Sequence, residues 1–366
     1  MRVGVDGSVF VANLTGIGNY SHHLLRAMAR QAPECQFVVL AQQPLSVDFL
    51  EPNISVSYDQ GSLLRNVYFW KAFGLASACA RAGVDVFWAA SGVAPFIMPC
   101  PVVLTVYDFV YRHAPETMSA RGRWFRRINQ PWWIRRGART FVIAEEVGRE
   151  MQSLYGRSAD AVVLPALDAG YYRREMQEVG SLKEKYGLGN CYNLLVGTLE
   201  PRKNIASFVC QYLLFQKDHP EIKLPLLVLL GARGWKNEKI VGVLDVAEKK
   251  GVVRHLGYVP SADMPGLYSG AKLFFMPSRY EGFGMPILEA RKCGCPVVCS
   301  DVPAMREAGG ASALYHPATE AGIAWVLAEI YLHNRIPLTD NADNVKWSWD
   351  SGAAKVLALF HDAVTG

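Results

Sequence analysis

The stretch Ser278–Val298, SRYEGFGMPILEARKCGCPVV, holds two carboxylates, Glu281 and Glu289, with two glycines and a helix start between them. Gly282 and Gly284 carry no side chain to keep a ligand off the backbone, and Pro286 suits a first helical turn, where a missing N–H costs nothing. The amides of Phe283, Gly284 and Met285 then point out of a helix N-terminus. Donors and dipole there favour a phosphate, the dipole alone by about 0.3–1 kcal/mol. Glu281 would repel phosphate, so it is expected to face the neutral hydroxyls of a sugar. Glu289, one turn into the helix, is expected to accept hydrogen bonds from a ribose. The apolar run Ala271–Pro277 reads as a buried strand and Gly294–Ser300 opens the next, making a βαβ unit.

Outward from this unit the chain alternates strands and helices. Residues 2–6 read as a first strand, followed by a loop through Gly16-Ile17-Gly18 and a helix from Asn19, in which Tyr20, Leu24 and Met28 recur at helical spacing. Further strands are expected at 36–41, 54–58, 84–89, 102–107, 140–144 and 161–165. A second series runs through 191–197, 226–231, 253–259, 273–277, 296–300 and 313–316. Such alternation predicts an α/β chain with parallel sheets in two Rossmann-like halves. The expected domains are 1–170, a polar linker region at 171–190, and 191–345. The third glycine of a dinucleotide fingerprint is missing, since Ser21 stands there, and no Walker lysine occurs.

A second cluster, Val196-Gly-Thr-Leu-Glu-Pro-Arg-Lys-Asn204, sets Arg202 and Lys203 after a strand and before a helix. A planar fork beside a mobile point charge suits a diphosphate. Expelling a nucleoside diphosphate requires stabilised charge on the leaving oxygens, and losing one preorganised donor typically costs about 3–4 kcal/mol. No Asp-x-Asp occurs, so no metal is expected to bridge the diphosphate; positive side chains and helix dipoles take that work.

Residues 194–300 resemble the donor-site signature of the retaining GT-B glycosyltransferases of family 4, and the likeness extends over nearly the whole chain. It implies two doubly wound Rossmann-like domains facing a central cleft, with a closing helix over 346–366 crossing back to the first domain. It further implies retention at the anomeric carbon, Gly197, Thr198, Arg202 and Lys203 around the donor diphosphate, and the backbone near Tyr258 and Val259 against the base. Gly231-Ala-Arg-Gly-Trp235 also fits. Gly16 and Gly18 are implied to reach the cleft toward the acceptor. On the acceptor side the resemblance also brings in Tyr107 and Asp108, where the family commonly ends a strand in His-Asp and His113-Ala-Pro-Glu116 follows. Tyrosine still donates a hydrogen bond but does not titrate near neutrality as imidazole does. Ala144 replaces a frequent serine before Glu145, Ala166 an Asn-Gly turn, and Thr198 a frequent arginine.

The chain has 366 residues, 51% hydrophobic and 19% charged, with a formal net charge of +5, the balance of a compact enzyme with room for two cores. Eight cysteines lack zinc spacing and read as reduced thiols of a cytoplasmic protein. No leader pattern opens the sequence, and the charge-free run Val86–Tyr107 is broken by Gly92, Pro95, Pro99 and Pro101 into strand, loop and strand. Arg121–Arg139 contains no acid and interleaves arginine with Trp124, Phe125, Trp132 and Trp133, a composition suited to an anionic membrane surface rather than nucleic acid. The protein is therefore expected to lie peripherally on the inner face of the cytoplasmic membrane.

These residues together point to metal-independent transfer of a hexose from a nucleoside diphosphate sugar to a lipid-linked glycan. The subset most resembled includes mannosyl- and rhamnosyltransferases of O-antigen and exopolysaccharide assembly, which favours a GDP-sugar donor and no other cofactor. A catalytically silent glycan- or nucleotide-binding scaffold and a GT-B sugar-nucleotide epimerase are the alternatives.

Overall fold

The structure is a computed structural model that describes residues 1–11, 14, 16–59, 69–232, 234, 238–339 and 347–366. Arg233 and Trp235 of the Gly231–Trp235 run and residue 346 of the expected closing helix lie outside them.

The chain divides into two compact units. Unit 1 comprises Met1–Arg112, Met118–Ala166 and Trp347–Gly366; unit 2 comprises His113–Thr117 and Leu167–Lys346. Among the described residues unit 1 is built on a seven-stranded sheet, β1 (Arg2–Asp6), β2 (Gln36–Ala41), β3 (Ile54–Tyr58), β4 (Val86–Ala89), β5 (Val102–Val106), β6 (Arg139–Val142) and β7 (Ala161–Val162), in the order β3-β2-β1-β4-β5-β6-β7. Unit 2 carries β8 (Tyr192–Val196), β9 (Leu226–Leu230), β10 (Val253–Gly257), β11 (Phe274–Met276), β12 (Val297–Ser300) and β13 (Leu314–His316), in the order β10-β9-β8-β11-β12-β13. Each described pairing is parallel.

Helices cover both faces of a parallel sheet, so its inner strands read as unbroken apolar runs. Val-Val-Leu-Thr-Val in β5 and Val-Phe-Trp-Ala in β4 are buried at every position, whereas Ile-Ser-Val-Ser-Tyr in β3, at the sheet edge, is exposed at four of its five. Unit 2 gathers Phe208, Tyr212 and Phe275 with leucines and valines of β8, β9 and β12 into its own core.

The first helix begins at Gly16, not at Asn19, so Gly16 and Gly18 are helical residues rather than an open loop. A methyl at Gly18 would lie 2.7 Å from the carbonyl oxygen of Val9, so that glycine serves close packing. The last helix, Trp349–Thr365, belongs to unit 1. Ser348 caps it, Trp349 stacks on His23 at 5.3 Å, and Lys355 donates to the carbonyl of Val162. A methyl at Gly352 would meet Val163 at 2.8 Å, which fixes how closely this helix seats. The polar run 171–190 contains the helix Met176–Tyr186, whose Leu182 fills the space a side chain at Gly266 would need.

Candidate functional site

In unit 2 the chain leaves β8 toward β9 and leaves β11 toward β12, on opposite sides of the sheet, although β8 and β11 are hydrogen-bonded neighbours. Loops after such a pair diverge and leave a crevice at the strands' carboxyl ends, the usual ligand position in an open α/β sheet. Arg202, Lys203 and Glu281 come from these two loops.

After β8, Glu200 opens a short 3-10 turn, Pro201–Lys203. Asn204 closes it at φ 57°, a left-handed conformation that asparagine tolerates better than most residues. Its buried amide donates to Ala318 and accepts from Arg279 at 3.1 Å. The amide of Arg279 donates to the carbonyl of Arg202 at 2.8 Å, which ties the β8 loop to the β11 loop. Glu281 then reaches both cations: its carboxylate lies 2.8 Å from Arg202 Nη1 and 2.7 Å from Lys203 Nζ, and Glu200 meets Arg202 Nε at 2.9 Å. Burial pushes the Glu281 carboxyl up, but the Arg202 and Lys203 charges outweigh it and hold the group at about 2. Burial lowers Lys203, and Glu281 opposes that shift.

The sequence did not show this pairing. The two cations assigned to a diphosphate and the acid assigned to a sugar are joined to one another here, and with Glu200 the charges cancel.

Gly197 and Gly231 bring the ends of β8 and β9 together. A methyl at Gly231 would sit 2.2 Å from the carbonyl oxygen of Gly197, and one at Gly197 would meet the Lys203 side chain at 3.3 Å. Thr198 is half-buried beside them. After β10 the Gly257 carbonyl accepts from the Gly231 amide at 2.8 Å; Tyr258 beyond it is 70% exposed, while Val259 is buried. Thus Gly197, Thr198, Gly231 and Tyr258 are gathered along one sheet end.

The helix Met285–Lys292 starts as expected, with Gly284 at φ 110° as its cap and Pro286 in the first turn; the side chain of Phe283 is buried. Glu289 is half-buried, and its Oε2 accepts from the Tyr268 hydroxyl at 2.8 Å. Burial raises its carboxyl to about 7, against the opposing hydrogen bonds of Tyr268 and Tyr171.

In unit 1 the geometry is different. Tyr107 is 4% exposed, its hydroxyl donates to the carbonyl of Ala90 at 2.8 Å and accepts from Ser21 Oγ at 3.0 Å, and burial raises its pKa. The group expected to meet a sugar is engaged inside the unit. Asp108 caps a short turn by accepting from Val110 N at 3.1 Å. Ala144, in the cap position of the helix Glu145–Tyr155, supplies no side-chain cap.

Sequence reasoning gave no role to Glu200, Asn204, Arg279 or Tyr280. The signal for Asn204 was its place at the end of the quoted run. The ring of His113, in unit 2, stacks on Tyr280 at 4.9 Å next to Glu281.

Residues 183–330 match the family described as Glycosyl transferases group 1. The chain is 40% identical over 168 residues to the O-antigen chain mannosyltransferase B of Escherichia coli, an alignment covering 45% of this chain and 44% of that protein. It is 30% identical over 193 residues to the Escherichia coli serotype-specific mannosyltransferase WbdA, covering 50% of this chain and 23% of that protein. The matched part thus spans less than half the length of these curated relatives. In fold it resembles Anabaena HepE, solved in complex with UDP and glucose, at a TM-score of 0.69 and 16% identity over 99% of each chain. The match to the glycosyl transferases group 1 family thus falls on the second of two parallel-sheet units of GT-B type, the unit that holds the Arg202–Glu281–Lys203 cluster at its direction change.

Proposed function

We propose that this chain is a retaining, metal-independent hexosyltransferase that moves mannose from GDP-mannose to a lipid-linked glycan in bacterial surface polysaccharide synthesis. The observation that carries the reading is the compensated cluster of Arg202, Lys203 and Glu281 at the strand ends of unit 2. The names of the mannosyltransferase relatives support the sugar. Diphosphate oxygens take over the two cations, which releases Glu281 to the sugar hydroxyls. Charge that builds on the leaving phosphate then meets groups already fixed in place, the term that usually dominates such catalysis. Glu289 serves the ribose, Tyr258 and Val259 the base, and Asp108 with Gly16 and Gly18 the acceptor side.

The acceptor oxygen bonds to the anomeric carbon on the face from which the phosphate oxygen departs, and its proton passes to that phosphate. No step uses a carboxylate nucleophile. Arg121–Arg139 holds the protein to the anionic inner face of the cytoplasmic membrane.

The test is release of GDP from GDP-mannose with and without a lipid-linked glycan. Acceptor-dependent release with an axial product linkage supports the proposal; conversion of the donor without acceptor makes the protein an epimerase. GDP binding without turnover across a panel of acceptors makes it a scaffold.

A further inference from the structure

The helix Ala120–Arg135 of unit 1 is mounted with its polar side inward. Its buried residues are Asn129, Gln130, Pro131 and Ile134, and Asn129 both donates to the Ala94 carbonyl at 2.6 Å and accepts from the Ala94 amide at 3.2 Å. At 3.6 residues per turn Trp124, Phe125, Ile128 and Trp132 form one stripe on the opposite side. Three of these are exposed, Trp124 at 67%. Helices of globular proteins ordinarily turn the apolar stripe inward, so this one addresses a ligand or partner.

Trp124 and Phe125 of the stripe form one wall of a groove. Phe69 and Phe73 form the second wall and Phe96 and Ile97 the third, with Phe96 edge-on to Phe125 at 6.2 Å and to Trp132 at 5.6 Å. The enclosed volume is 530 Å³, and the lining side chains, including Ala72 and Ala76, are all apolar. That size falls within the range of about 300–1,000 Å³ typical of small-molecule sites. One end of the groove is cationic. Arg121 shares the helical stripe one turn before Trp124, while Arg135 and Arg136 lie beyond the lining, over the Tyr155 ring at 5.6 Å and the Trp132 ring at 4.7 Å. No acid occurs between Arg121 and Arg139. An apolar floor with an arginine at its end matches a molecule with a long hydrocarbon chain and an anionic head.

We propose that this groove binds the hydrocarbon chain of a single phosphate-headed lipid, whose phosphate meets Arg121. The inference refines the membrane reading of Arg121–Arg139 and rests on it for the sign of the head group, but it requires nothing of the donor site. A bilayer surface asks only for protruding side chains and charge; a chain site asks for the groove.

The experiment is calorimetric titration of the full chain with dodecyl phosphate below its micelle concentration. The same titration with dodecyl maltoside and with inorganic phosphate, and co-sedimentation with phosphatidylglycerol vesicles, complete the set. Saturable binding of one dodecyl phosphate per chain is expected, about tenfold weaker for the neutral head, with no binding of inorganic phosphate. Phe73→Ser with Ile97→Ser, both exposed in the fold, weakens it about tenfold or more, and Arg121→Gln reduces the preference for phosphate over maltoside. Binding to vesicles with none to monomeric dodecyl phosphate overturns the chain site and leaves the membrane reading standing. Binding to neither overturns both, and monomer binding unmoved by the groove variants overturns the location.

Discussion

The two sheets change direction at comparable places, between β1 and β4 in unit 1 and between β8 and β11 in unit 2, yet they use their polar groups differently there. In unit 1 Asp6 turns back to cap Ser8, and Tyr107 links Ser21 of the first helix to Ala90 at the end of β4. Those bonds are neutral or local, and they hold the strand ends in place. In unit 2 the strand ends carry two cations and two carboxylates matched to each other. Breaking such a buried pair by deleting one partner is costly, but exchanging one anion for another is not, because the incoming group keeps the charge compensated. The same fold position therefore holds neutral or local bonds in one unit and matched charges in the other.

The sharpest way to break this comparison is Lys203→Ala. It should lower turnover of the proposed reaction about 100- to 1,000-fold with the fold retained, read by GDP release and circular dichroism; near-normal turnover removes Lys203 from the reacting groups. Glu289→Gln comes next. A carboxyl raised to about 7 binds a proton in the folded state that the unfolded chain has already released, so its contribution is complete below about pH 4.5 and is lost as pH rises through 7. Relative to the parent, the glutamine variant should gain stability across that window by at most about 1.4 kcal/mol per pH unit in urea titrations. Parallel pH profiles would show that Glu289 titrates normally.

Tyr107→Phe should cost about 1–3 kcal/mol, because it leaves the buried Ala90 carbonyl short of a donor. Turnover per folded molecule should change little. A loss like that of Lys203→Ala would return Tyr107 to the acceptor side and erase the contrast between the units. The smallest effect is expected from Ala144→Ser, which restores a side-chain cap to the helix Glu145–Tyr155 and should add up to about 1 kcal/mol in thermal unfolding.

Strand positions were legible because parallel strands announce themselves as apolar runs. The limits of β1, β2 and β3 agree residue for residue with those read from sequence, while β6 begins one residue earlier and ends two sooner, and the others shorten by one to three residues. The start of the first helix was not legible, since two glycines lower helix propensity and only the approach of Val9 explains Gly18. In the site, the residue types and both loops were readable from Glu281, Arg202 and Lys203. Their mutual pairing was not, because it joins positions 79 apart whose ligands were assigned separately. The groove was invisible for a similar reason. Its walls come from three segments, and nothing in the pattern of Arg121–Arg139 says which side of that helix faces the core.

The placement of Trp349–Thr365 in unit 1 has a consequence for how the molecule is made. Unit 2 is in effect an insertion, and the ribosome delivers all of it before the helix that packs against Tyr20 and Leu24 emerges. The first-made half therefore waits, incomplete and with part of its apolar surface uncovered, while the later-made half can already close around its own core.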